Sequence, residues 1–250
     1  MLVTLALTLL MAQPKSAPAM TAEMSTQLAL AAQQYAPPAV PVSELKKATG
    51  LYLAPSDDIW VYANASDPQK DEFLRAWGAN DRALPLPGDD PQAYSWSLLK
   101  WDLSGFGEKT KIVEAELILT AAPDAGYTAK DAEASPLEVH AVKGDFMENE
   151  WDYSQEEKFT PTESEVYGVL GPQNVSAQPF KITIDLLHGP SDFAKYFATA
   201  LKKHTLALAV ASKIDPSKLG REGIYKVYSK DASDSKVRPV LRIVLAEKAK

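Results

Sequence analysis

From Leu51 onward, apolar and polar residues alternate with a period of two, in short runs broken by Gly, Pro, Asp and Asn clusters. Successive side chains of a strand point to opposite faces, so such runs read as strands with one buried side. They fall at residues 59–63, 73–77, 94–103, 112–120, 137–142, 180–186, 206–211, 225–229 and 240–245. In 112–120 the alternation places Val113, Ala115, Leu117 and Leu119 inward and Glu114 and Glu116 outward. One stretch has the helical period instead. Phe193, Tyr196, Phe197, Ala200 and Leu201 form a single apolar stripe over 192–203, with Ser191 as the cap and Pro190 before it. That helix is expected to plug one end of the fold. Short, evenly spaced strands without crossover helices between them predict an all-β fold, an antiparallel β-sandwich with one short helix insert.

Before Leu51 the pattern changes. Residues 1–12 (MLVTLALTLLMA) are strongly apolar but too short to span a bilayer comfortably. Two readings fit them. One is a secretory signal peptide with residues 2–12 as its apolar region and small residues at 17–19. The other is an N-terminal apolar strand, because Val3, Leu5, Leu7 and Leu9 share one side and could complete a neighbouring subunit's sheet. Residues 21–34 suit a short helix, and Pro37, Pro38 and Pro41 hold 35–42 extended. The expected organisation is a signal peptide or strand at 1–19, an extended Pro-rich arm at 20–50 and the sandwich at 51–250.

Composition narrows this picture. The chain has 250 residues and no Cys, so disulfides, thiolate metal clusters and a cysteine nucleophile are excluded, and core packing must hold the domain. Lys and Arg number 26 against 33 Asp and Glu, and the net charge of −7 opposes nucleic-acid binding and a polybasic membrane anchor. No membrane span is expected in the mature protein. The 18 prolines argue against long helices and mark the arm and the turns.

Catalytic signatures are missing. His140, His188 and His204 show no metal-binding spacing, and His140 reads as a solvent-side residue on its strand. There is no Gly-x-Ser-x-Gly elbow, and Gly105-Phe106-Gly107 is a turn. The adjacent acids Asp57-Asp58, Asp89-Asp90 and Glu156-Glu157 would point to opposite faces of a strand, which suits solvated charge better than acid–base chemistry. The expectation is a protein that is not an enzyme. Calcium is the one cofactor the acids suit: Asp57, Asp58, Asp67 and Asp71 flank one loop and could converge with its carbonyls. Asp231, Ser233 and Asp234 form a second polar loop, and the plain reading of both is turn formation. Aromatic residues carry the remaining signal. Tyr94 and Trp96 share the strand face opposite Leu99 and Trp101, and Trp60 and Tyr62 form a similar pair. Such pairs make either a flat platform for sugar rings or ordinary core packing. Lys100, Arg75 and Lys181 are cations that an acidic polysaccharide would need, although the net charge opposes that ligand. Asn64-Ala65-Ser66 and Asn174-Val175-Ser176 are glycosylation sequons.

The order of the segments resembles a known family. Asp58-Ile59-Trp60-Val61-Tyr62, Phe73-Leu74-Arg75-Ala76-Trp77-Gly78, and Leu98-Leu99-Lys100-Trp101-Asp102-Leu103-Ser104 are similar to the opening strands of the DNRLRE domain family. Val113–Leu119, Trp151, Phe180–Asp185, Tyr228-Ser229-Lys230-Asp231 and Arg238–Ile243 follow in the family's order. The resemblance runs from about Leu51 to Leu245. Ser97, Asp231 and the larger helix insert depart from the family pattern. The resemblance implies a jelly-roll-like sandwich of a secreted or cell-surface protein, in some relatives a carbohydrate-binding module. The expected function is therefore non-catalytic binding of a polysaccharide or cell-envelope glycan through Tyr94, Trp96, Trp60, Tyr62 and Lys100. The alternatives are a structural subunit that self-assembles into a fibre or surface array through the N-terminal strand, and an auxiliary domain of an enzyme on another chain.

Overall fold

The computed structural model describes residues 50–124, 126–171, 180–220 and 223–246. The chain divides into two units, Met1–Lys47 and Ala48–Lys250, and every described residue belongs to the second. The expected leader or strand, the helix at 21–34, most of the arm and the Asn174 sequon lie outside the described residues.

Eleven strands run through the described residues: β1 (Leu51–Leu53), β2 (Asp57–Val61), β3 (Phe73–Ala76), β4 (Trp96–Asp102), β5 (Ile112–Thr120), β6 (Leu137–Ala141), β7 (Val166–Val169), β8 (Lys181–Asp185), β9 (Thr205–Ser212), β10 (Tyr225–Tyr228) and β11 (Val240–Leu245). They form a four-stranded sheet in the order β1-β11-β5-β8, a five-stranded sheet in the order β2-β4-β9-β6-β7, and the pair β10-β3. All strand pairings are antiparallel. The fold is the all-β antiparallel sandwich that the alternation predicts.

The helical content is larger than the single insert expected. Four short α-helices are present among the described residues: α1 (Ala129–Ala134), α2 (Glu156–Phe159), α3 (Phe193–Lys203) and α4 (Pro216–Leu219). Helix α3 is the expected amphipathic one, and Phe193, Phe197, Ala200 and Leu201 of its stripe are buried. Its cap is Asp192 rather than Ser191, because the Asp192 carboxylate accepts the Lys195 N–H at 2.9 Å.

The main core lies between the two large sheets. Leu117, Leu119, Ile182, Ile184, Leu241 and Ile243 of one sheet belong to the same buried cluster as Leu99, Trp101, Leu206, Leu208, Val139 and Val210 of the other. A second cluster covers the opposite face of the five-stranded sheet, where Ile59, Val61, Trp96, Leu98, Ala207, Ala209 and Ala211 meet Leu84, Phe146, Trp151 and Phe159. The central strands β4 and β9 are thus buried on both faces. The alternating Leu and Ala of β9 reflect this: leucines fill the inter-sheet core, and small alanines leave room for the aromatic residues outside.

Two positions in the strands depart from the sequence expectation, one through a bulge and one through a covering segment. Val113 is 48 % exposed, not inward, because Val244 pairs with Glu114 and Leu245 with Ile112, and the bulge passes over Val113. His140 is fully buried, not solvent-facing, since the face it occupies is covered by the segment leading to Thr162. Its ring nitrogens lie 3.3 Å from the Thr162 carbonyl and 3.2 Å from Glu138.

One close backbone approach needs glycine. A Cβ on Gly78 would sit 2.0 Å from the Arg82 carbonyl oxygen and 2.6 Å from that of Ser212. The Gly78 N–H donates to the Ile214 carbonyl at 2.7 Å, so the strand end cannot move aside without losing that bond. Gly78→Ala is expected to cost about 3 kcal/mol, read from the urea unfolding midpoint.

Candidate functional site on the edge strand

Strand β2 has one neighbour among the described residues, β4, with Asp58 opposite Leu99 and Trp60 opposite Ser97. The period of two puts Asp58, Trp60 and Tyr62 on one face and Asp57, Ile59 and Val61 on the other. The second face is core. The first is where the unusual chemistry gathers.

At its outer end the face is aromatic. Trp60 and Tyr62 stack with ring centroids 5.3 Å apart and planes at 16°. Trp77, just past β3, meets Tyr62 edge-on at 5.0 Å. The Arg75 guanidinium lies 4.1 Å from the Trp60 ring centroid and is held there by Asp71 at 2.7 Å. The Trp60 indole N–H donates to Ser95 Oγ at 2.6 Å, which fixes the ring. All three aromatic residues are half-buried. The group therefore gathers three half-buried rings and an ion pair at a sheet edge.

At its inner end the face is ionic. Asp58 is 2 % exposed, and its carboxylate accepts the Lys230 backbone N–H at 2.6 Å. Glu148 and Asp231 close in, so that one oxygen of each of the three carboxylates lies within 4.8 Å of the others. The Lys230 ammonium sits 2.9 Å from Glu148 and 3.1 Å from Asp231. Glu148 also accepts the Asp58 N–H at 3.0 Å, while the Glu148 N–H donates to Asp57 at 3.1 Å. Burial, reinforced by the charges of Glu148 and Asp231, pushes the Asp58 carboxyl up to about 7 against the pull of the Lys230 N–H. Burial raises Glu148 as well. Asp57 behaves differently. Burial would raise it, but the Glu148 N–H, the Ser56 hydroxyl and Lys100 outweigh that and hold it below the usual carboxylate range.

The residues singled out from the sequence are distributed unevenly over this face. Trp60 and Tyr62 belong to it, as the pairing by alternation suggested. Tyr94 and Trp96 do not form an exposed platform; both are buried in the second core cluster. Lys100 is also buried, its ammonium paired with Asp57 at 3.1 Å and Asp145 at 3.3 Å and donating to the Phe146 carbonyl. The physical reason is common to all three: the 142–160 segment and the chain leading into β4 cover a sheet face that alternation alone would leave wet. Lys181 is occupied by Thr120 Oγ1 and the Lys236 carbonyl.

The four acids proposed for calcium do not converge. Asp67 pairs with Lys70 at 3.6 Å, Asp71 with Arg75, Asp57 with Lys100, and Asp58 alone joins a carboxylate cluster. In that cluster the Lys230 ammonium pairs with Glu148 and Asp231, while Asp58 accepts the Lys230 backbone N–H. Asp58, on β2, flanks the first polar loop noted in the sequence, and Asp231 belongs to the second. Glu148 lies 90 residues from Asp58 and has no local signal, and Trp77 and Arg75 belong to the 73–77 run, whose strand β3 pairs with β10 and meets the β2 aromatics only through side chains.

No protein-family model matches this chain, and no curated protein matches it.

The chemistry open to the face follows from its own geometry. The aromatic end can bury one side of a ring-shaped ligand while Arg75 and Asp71 offer hydrogen bonds to its polar rim. The ionic end joins β2, the turn at Glu148–Glu150 and the loop after β10 through charges and backbone N–H groups. Asp58 is too deep to touch a substrate from solvent. Its role is to bind the loop of Lys230.

Proposed function

We propose that this chain is a non-catalytic, glycan-binding β-sandwich module acting outside the cell or at its surface. The observation that carries the reading is the stacked Trp60–Tyr62 pair with Trp77 at a sheet edge, beside the Arg75–Asp71 ion pair. The C–H face of a pyranose is apolar and its rim is hydroxylated, and a ring surface flanked by a cation and a carboxylate matches both parts. The sequence likeness to DNRLRE domains supports the same reading. Against an enzyme stands the depth of Asp58 and the ammonium held on Glu148 and Asp231, which leave no free acid–base pair at the cluster.

The test is a panel of neutral and acidic polysaccharides in affinity electrophoresis with the full chain. At least one polymer should retard the protein, and Tyr62→Ala should weaken that interaction tenfold or more while leaving the thermal midpoint within a few degrees. No retardation by any polymer, or an unchanged affinity in Tyr62→Ala, rules the reading out.

A further inference from the structure

A cleft of about 490 Å³ lies away from β2, between the proline-rich loop that precedes β4 and the segment of α2. One wall is Leu86, Pro87 and Pro91; the other is Tyr153, Glu156 and Glu157. Leu86 is half exposed, although leucine normally leaves water, and the loop is held open by internal bonds. Asp89 accepts the Leu86 N–H at 2.7 Å and pairs with Arg82 at 2.6 Å, so the acid that lines the proline side is already neutralised. The acids on the other side have no ion-pair partner among the described residues. Glu156 accepts the Thr160 hydroxyl at 3.2 Å, Glu157 is exposed, and no Lys or Arg lines the cleft among the described residues. Burial and the neighbouring Glu157 charge both work against ionisation of Glu156, so a cation placed there would relieve an existing cost.

We propose that this cleft is a second binding site and that it takes a chain of amino sugars carrying free ammonium groups. Apolar ring edges on the prolines and Tyr153 fit the C–H faces of pyranose rings, and two uncompensated carboxylates fit the 2-ammonium groups. The cleft volume falls in the range of small-ligand sites, enough for a few sugar rings. A neutral or uronic-acid glycan would leave the carboxylates unpaired or repel them, which separates this site from the aromatic edge of β2.

The experiment is isothermal titration of the full chain with the glucosamine hexamer, the N-acetylglucosamine hexamer and hexalysine. The glucosamine hexamer should bind at least tenfold more tightly than either of the others, and raised salt should weaken it. Glu156→Gln together with Glu157→Gln should lower that affinity tenfold or more with an unchanged thermal midpoint. Tyr62→Ala should leave it intact, so failure of the β2 site and failure of this cleft are read separately. Absence of glucosamine-hexamer binding, equal binding of hexalysine, or full binding by the double variant would each overturn the assignment.

Discussion

Trp96→Ala is expected to lower the unfolding free energy by about 3–5 kcal/mol, the usual range for emptying a large buried aromatic site. Trp96 is 2 % exposed and belongs to the cluster with Leu98, Phe146, Trp151 and the alanines of β9. Those alanines have no side chain long enough to refill the space, so most of the cavity would persist. The indole N–H finds no hydrogen-bond partner among the described residues. Trp96→Phe removes that unpaired donor along with part of the volume, and its cost should be about 1–2 kcal/mol. Urea unfolding of both variants measures the difference. A Trp96→Ala protein that unfolds at the wild-type midpoint but loses polysaccharide affinity would mean that the residue faces ligand and not core.

The second large effect is a dependence of stability on pH carried by Asp58. Its carboxyl is raised to about 7 in the folded chain from 3.8, so between these values the folded state holds a proton that the unfolded state releases. Stability therefore falls as pH rises through that window and levels off above it. From pH 5 to pH 8 the loss attributable to this group is about 2–3 kcal/mol. Asp57 and Asp124 are shifted the other way, and their contribution disappears only below the ordinary carboxylate range. The greatest stability is expected in mildly acidic solution. Asp58→Asn keeps an acceptor for the Lys230 N–H and removes the buried charge. It should be more stable than wild type at pH 8 and show a flatter profile between pH 5 and pH 8. Urea midpoints at pH 5, 6.5 and 8 test this; parallel profiles for the two proteins would refute it.

How far the site was legible depends on which contacts are local. The Trp60–Tyr62 pair was readable because two aromatic residues spaced by two on a strand must share a face. The Tyr94–Trp96 pair obeys the same rule and yet lies in the core, because the sharing of a face says nothing about what covers it. Lys100 illustrates the limit most clearly. A lysine in an alternating run reads as the wet side of a strand, but Asp57 and Asp145 supply the charges that let its ammonium sit inside. The ionic cluster was half legible: both polar loops were visible, while Glu148 and the meeting of the loops were not.

The sequence by itself determined nine of the eleven described strands, the amphipathic helix at Phe193–Lys203 and the all-β class, since each depends on a period of side-chain placement within a few residues; the three- and four-residue strands β1 and β7 are too short to show that period. It also determined that no disulfide supports the domain. Tertiary structure alone decided that the central strands of the five-stranded sheet are buried on both faces, that the Val244–Leu245 bulge turns Val113 out, and that carboxylates from three separate segments gather around Lys230. The reason is physical: a period fixes which residues face together, whereas burial, pairing and the proton affinity of Asp58 depend on which distant segment arrives to cover them.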